Sequence, residues 1–126
     1  MRLLLDSHAM LWALGSPRRL SPTARDAIES PSSEVFASAV SVWEIAIKTA
    51  TGKLRAPDDL IRRADDADFR PLAIEWQHGT AAGALPLHHR DPFDRMLVAQ
   101  AQVEGLTLVT SDPKIGRYAV AVLPAS

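Results

Sequence analysis

Arg2-Leu3-Leu4-Leu5-Asp6-Ser7-His8 opens the chain with an apolar run of strand length that stops on an acid. Such a run, bounded by polar residues, reads as a buried strand. A helical pattern follows at Met10, Leu11, Trp12 and Leu14 and ends near Gly15 and Pro17. The same alternation recurs along the rest of the chain. Ser21-Pro22 begins a helix to about Ser30, with serine as N-cap and proline in the first turn. Glu34 to Ser38 reads as a strand, and Val42 to about Ala50 as a helix capped by Ser41 and closed by Gly52. Pro57-Asp58-Asp59 opens another helix with an acidic first turn. Pro71 to Ile74 is a short strand, Trp76 to about Ala84 a helix, and Leu85 to Arg90 a loop. Asp91-Pro92 starts a strong helix that runs to Glu104 and stops at Gly105. Leu106 to Thr110 is the most strand-like stretch, and Val120 to Leu123 a last short strand. Strands alternating with helices predict an α/β fold with a mainly parallel sheet.

The 126 residues are expected to form one domain over 1–126. A chain of that size buries roughly two-thirds of its unfolded surface, so it needs no staple. Apolar residues make up 47%, which excludes a disordered chain. The absence of cysteine excludes a disulfide scaffold, a thiol nucleophile and a thiolate metal site, and it suits a cytoplasmic location. No apolar stretch is long enough for a membrane span, and Asp6 interrupts the leading leucines before they resemble a signal peptide. The whole chain is therefore expected to be mature protein. Fourteen basic residues nearly balance 15 acidic ones, so net charge names no partner, although it can hide a basic rim around an acidic site.

Open parallel sheets bind ligands at the carboxyl ends of their strands. Asp6 and Asp112 follow two strands, while Glu44 and Asp94 are read in the first turns of two helices. Each has a structural alternative. Asp6 or Ser7 could cap the first helix, and Ser41-Val42-Trp43-Glu44 matches a capping box. Glu44 and Lys48 are spaced for an i,i+4 pair. Asp91 fits an N-cap before proline, and Asp112-Pro113 could be another cap. Asp94, however, shares a helical stripe with Leu97, Val98 and Ala101, so it points with the buried face. Carboxylates gathered at one sheet edge repel unless a cation lies among them, and an all-oxygen set suits Mg²⁺ or Mn²⁺.

Four segments then resemble the PIN-domain family, and within it the VapC toxins of bacterial VapBC toxin–antitoxin pairs. They are Leu3-Leu4-Leu5-Asp6-Ser7-His8, Ser41-Val42-Trp43-Glu44-Ile45-Ala46-Ile47-Lys48, Asp91-Pro92-Phe93-Asp94-Arg95-Met96-Leu97-Val98-Ala99-Gln100-Ala101 and Leu108-Val109-Thr110-Ser111-Asp112. They occur in order across nearly the whole chain. The resemblance implies a PIN-like α/β/α sandwich and an Mg²⁺- or Mn²⁺-dependent endoribonuclease. It also implies an RNA substrate, a cognate VapB-type antitoxin and a homodimer. By motif, Asp6, Glu44 and Asp94 match the three core acids and Asp112 the more variable fourth. Asp6 and Asp94 are expected as direct metal ligands, with Glu44 and Asp112 binding metal through water or positioning the attacking water. Thr110 and Ser111 are placed to orient carboxylates, and Asp91 is favoured as a cap.

Other residues carry weaker signals. His88-His89 falls in a loop and reads as a solvated pair, and no histidine spacing suggests zinc. His8 lies two residues after Asp6. Arg90, Arg95, Lys48, Lys53 and Lys114 lie beside the motifs, either as phosphate contacts or as solvated charge. Trp12, Trp43, Leu11, Leu14, Ile45 and Ile47 read mostly as core. The competing reading is a non-catalytic PIN-like binding or assembly domain, which loss of Asp6 or Asp94 would favour; both are present. An aspartyl-phosphate phosphatase or nucleotide-binding fold is disfavoured, because Ser7-His8-Ala9 supplies neither a second aspartate nor a glycine-rich turn.

Overall fold

Successive side chains of a strand point to opposite faces, and the three leucines after Arg2 use this to serve two cores at once. Leu3 and Leu5 pack with Met10, Val35, Ala37 and Ile45 on one side, while Leu4 packs with Leu97, Val98 and Leu108 on the other. All three leucines are fully buried. A strand covered on both faces is what a parallel sheet between helices requires.

The computed structural model describes all 126 residues. Five strands, β1 (Arg2–Leu5), β2 (Glu34–Ser38), β3 (Arg70–Leu72), β4 (Thr107–Thr110) and β5 (Val122–Pro124), form one sheet in the order β3-β2-β1-β4-β5. Every pairing is parallel. Six α-helices accompany them: α1 (Ser7–Gly15), α2 (Pro22–Glu29), α3 (Ala39–Ala50), α4 (Leu60–Asp66), α5 (Trp76–Ala84) and α6 (Pro92–Glu104). Residues of α1, α2 and α4 join the core on one face, and those of α6 the core on the other, giving the expected α/β/α sandwich.

The strand order decides where a ligand would go. Beginning at β1, the chain adds β2 and β3 on one side and then crosses to add β4 and β5 on the other. The reversal lies between β1 and β4, and a crevice opens at the carboxyl ends of such a pair. Asp6 follows β1 and Asp112 follows β4.

Some boundaries differ from the sequence reading. Helix α3 begins at Ala39 with Ser38 as its N-cap, whose hydroxyl accepts from the Val40 amide at 3.1 Å. Ser41 is therefore inside the helix, its hydroxyl is buried without a partner, and the expected Ser41–Glu44 capping box is not formed. Glu44 accordingly sits in the second turn rather than the first. Helix α4 starts at Leu60 instead of Pro57: Asp59 is its N-cap with φ −102° and ψ 32°, and its carboxylate pairs with Arg62 and Arg63, both at 2.8 Å. Strand β3 starts one residue earlier than expected, and β5 starts at Val122 rather than Val120.

Candidate functional site

All four singled-out acids line one cavity of about 470 Å³, which also receives Ser7, His8, Trp12, Arg19, Lys48 and Asp91. They arrive from four parts of the fold. Asp6 is the N-cap of α1, and its Oδ1 accepts from the Ala9 amide at 2.8 Å. Glu44 projects from α3 and is only 5% exposed. It accepts from the Ser7 hydroxyl at 2.5 Å and from Lys48 Nζ at 2.6 Å, so the expected i,i+4 pair is formed and faces the cavity. Asp94 lies in the first turn of α6, with Leu97, Val98 and Ala101 buried along its stripe. Asp91 is the cap of that helix, accepting from the Phe93 and Asp94 amides at 2.8 and 3.3 Å. Capping and a place in the cavity are thus compatible for both Asp6 and Asp91.

The electrostatics reflect crowded acids in a poorly hydrated place. Burial raises the Asp94 pKa to about 7, with the neighbouring Asp91 and Glu44 charges adding to the effect and His89 opposing it. Burial also raises Asp6, against hydrogen bonds from Thr110 and the Ala9 amide. Asp112 behaves differently. Burial pushes its carboxyl up, but the Lys114 amide and His89 outweigh that and hold it below the ordinary value. Lys48 is held above its usual range chiefly by its hydrogen bond to Glu44.

His89 is the residue that sequence reasoning misplaced. His88 is exposed, but the His89 side chain is only 11% exposed and enters the acidic cluster. Its Nε2 lies 3.0 Å from Asp94 Oδ2 and 2.8 Å from Asp112 Oδ2. The Asp91 amide donates to Nδ1 at 3.2 Å, and a neutral imidazole that accepts there carries its proton on Nε2. His89 therefore donates to the two carboxylates. Its backbone amide donates to the Tyr118 hydroxyl at 2.9 Å. Arg95 holds the same loop by donating to the carbonyls of Ala82, Leu85, Pro86 and His89 at 2.9–3.3 Å. Arg95 is thus a loop clamp and not a phosphate contact. Nothing in the pair His88-His89 marks which ring turns inward; the fold of the loop around Arg95 decides it.

Two further expectations separate. Thr110 is buried, its hydroxyl meets the Asp6 carboxylate and accepts from the Asp112 backbone amide at 3.1 Å, so it touches one acid's carboxylate and the other's backbone. Ser111 instead pairs with Ser126 at 2.7 Å. Trp43 is 59% exposed and Ile47 39%, so these two are not core, whereas Ile45 and Leu11 are.

A model of the PIN domain matches residues 3–121. The chain belongs to the PIN-domain family. Ribonuclease VapC22 of Mycobacterium tuberculosis is 31% identical over 115 residues, spanning 89% of this chain and 88% of that protein. Solved structures repeat the fold at low identity. VapBC2 from Rickettsia felis, bound to a DNA fragment from its promoter, matches with a TM-score of 0.75 at 14% identity, covering 100% of both chains. DNA-bound VapBC from Salmonella typhimurium matches with a TM-score of 0.68 at 15% identity, covering 98% and 97%.

The donor set of this PIN domain fits a hard divalent cation. Carboxylate oxygens of four acids face one cavity; burial chiefly raises the Asp94 and Asp6 pKa values, with neighbouring carboxylates adding to it, and a cation among them would favour the ionised forms. His89, Asp94 and Asp112 bring nitrogen and carboxylate atoms within 4.8 Å of one another, but with its proton on Nε2 the imidazole donates to the two carboxylates and offers a cation no lone pair there. No helix is long and apolar enough to cross a membrane.

Proposed function

We propose that this chain is a metal-dependent endoribonuclease of the VapC kind, with Mg²⁺ or Mn²⁺ as its cofactor, acting as one domain over residues 1–126. The observation that carries the reading is the meeting of Asp6, Glu44, Asp94 and Asp112 in one cavity at the sheet's reversal point. The 31% identity to a protein named as a ribonuclease supports the same chemistry. Asp6 and Asp94 hold the ion. Glu44 and Asp112 bind it through water or hold the attacking water. The bound ion supplies polarisation of the phosphate and a more acidic water. Ser7 and Lys48 fix the Glu44 carboxylate, and Thr110 steadies the Asp6 carboxylate and the Asp112 backbone.

The substrate is RNA, and the regulator is a VapB-type antitoxin, in line with structural neighbours that are themselves VapBC assemblies. A basic side chain of that partner, placed among the acids, would supply the charge the metal otherwise provides. A homodimer belongs to the same reading. The setting is cytoplasmic.

The test is cleavage of total cellular RNA by purified protein with Mg²⁺ or Mn²⁺, with EDTA, and with Asp94→Asn. Cuts that require metal and disappear in the variant support the reading. A protein that binds no metal and cuts no RNA would instead be a PIN-fold binding domain.

A further inference from the structure

The acidic cavity has a neighbour of opposite character. A second cavity, of about 410 Å³, shares His8, Trp12 and Arg19 with the first. No acid lines it; three arginines do, Arg19, Arg55 and Arg63. The sign of the lining charge therefore changes across Trp12. The indole is half-exposed, on the first helix, one turn after His8, and the two rings lie 6.0 Å apart at 48°. The Arg19 guanidinium lies 5.0 Å from the indole centroid. Arg63 is held by Asp59 and by the Leu14 carbonyl at 3.1 Å, but Arg19 and Arg55 make no ion pair and are exposed.

We propose that Trp12, Arg19 and Arg55 form a seat for the nucleotides of single-stranded RNA that flank the scissile phosphate. The inference rests on the nuclease reading above and adds where the strand lies. An unpaired base stacks on the indole, which every base can do through its π-face. The adjoining phosphates take Arg19 and Arg55, whose guanidinium forks match phosphate oxygens. Placing these cations beside the acids solves a problem the acidic cavity cannot solve alone. A polyanion is repelled by four carboxylates unless cations beside them hold it. The arrangement also selects against a duplex, because a paired and stacked base has no free face to offer Trp12.

The experiment compares wild type with Trp12→Ala, Trp12→Phe, Arg19→Gln and Arg55→Gln. Initial rates are measured over a range of unstructured RNA concentrations with Mn²⁺, at two salt concentrations. Mn²⁺ binding is followed separately by electron paramagnetic resonance. A 4-thiouridine-substituted RNA is photocrosslinked to the protein and the attachment mapped by mass spectrometry.

The expected result is a KM raised about tenfold in Trp12→Ala and largely restored in Trp12→Phe, with kcat and Mn²⁺ binding little changed. Arg19→Gln and Arg55→Gln each raise KM severalfold and flatten its salt dependence, and the crosslink maps to Trp12. Unchanged KM in all variants, with metal-dependent cleavage intact, overturns the seat and leaves the nuclease. No cleavage by wild type overturns both. Lost binding to an acidic protein partner, with RNA KM unmoved, assigns the groove to that partner and overturns the proposal. If Trp12→Ala fails to fold, the two exposed arginines and the crosslink still decide.

Discussion

His89 Nε2 lies 2.8 Å from Asp112 Oδ2, and because its Nδ1 accepts the Asp91 amide, the imidazole is a donor inside the acidic cluster. It occupies the place of a cation with an N–H. A metal-ligating histidine does the reverse, donating from its second nitrogen while its first offers a lone pair. His89 therefore competes with an incoming ion for Asp94 and Asp112. His89→Ala is expected to bind Mn²⁺ severalfold more tightly than wild type in an electron paramagnetic resonance titration. Weaker binding would mean that the imidazole is itself a ligand and that the ring reverses its tautomer.

The raised Asp94 pKa makes the metal-free protein sensitive to pH. Its value of about 7 lies above that of an unfolded aspartate, about 3.9, so between those values the folded state holds more of the proton. The stability this group contributes is full below about pH 4 and is lost as pH rises through about 7. Asp94→Asn has no such titration. In EDTA, the variant's melting temperature relative to wild type should therefore be higher at pH 8 than at pH 5. Saturating Mg²⁺ should reverse the ranking at pH 8, since only wild type keeps the full ligand set. A difference independent of pH would contradict the shift.

Ser7 acts on the site through Glu44, donating to Oε1 at 2.5 Å while Lys48 holds Oε2. A hydrogen bond to a buried charged group contributes about 1.5–3 kcal/mol. Ser7→Ala should cost a comparable amount of stability in urea unfolding. It should also lower kcat about tenfold or more with KM nearly constant, because the carboxylate loses its fixed orientation and RNA contacts are untouched. Retained kcat would show that Lys48 alone positions Glu44.

Gly105 ends helix α6 at φ 67° and ψ 42°, a left-handed conformation that penalises any side chain. A Cβ there would meet Arg2 Nη1 only at 3.9 Å, an ordinary contact, so the penalty is in the backbone. Gly105→Ala should lower stability by about 1 kcal/mol. The cavity acids lie at the other end of the helix, so RNA cleavage per folded molecule should be unchanged. A loss of activity at full stability would show that the C-terminal end of α6 communicates with Asp94.

Much of this architecture was legible in local pattern. Leu3-Leu4-Leu5 and Leu108-Val109 read as buried strands because the sheet is covered on both faces and no alternation is needed. The start of α6 was legible because an Asp91 cap, Pro92 and a buried stripe through Asp94 are all local. The start of α3 was misread by three residues, since Ser38 and Ser41 are equally good caps in isolation. Strand β2 carries Ser38 to the sheet edge, and buried Gln100 there accepts from its hydroxyl at 2.6 Å, so tertiary contact chose between them.

By itself, the order of residues determined the α/β alternation, Asp6 and Asp112 after strands, Asp94 at a helix start, and the Glu44–Lys48 pair. These depend on periodicity, capping and i,i+4 spacing, all of which act over a few residues. Only the tertiary structure decided that strand order reverses between β1 and β4 and so brings Asp6 and Asp112 to one crevice. It also decided that His89, rather than His88, enters the cluster, that Arg95 serves the loop instead of a ligand, and that Trp12 divides an acidic cavity from a basic one. Each of those outcomes depends on groups distant in the chain sharing one small volume, where burial and neighbouring charge set a side chain's direction more strongly than its local sequence does.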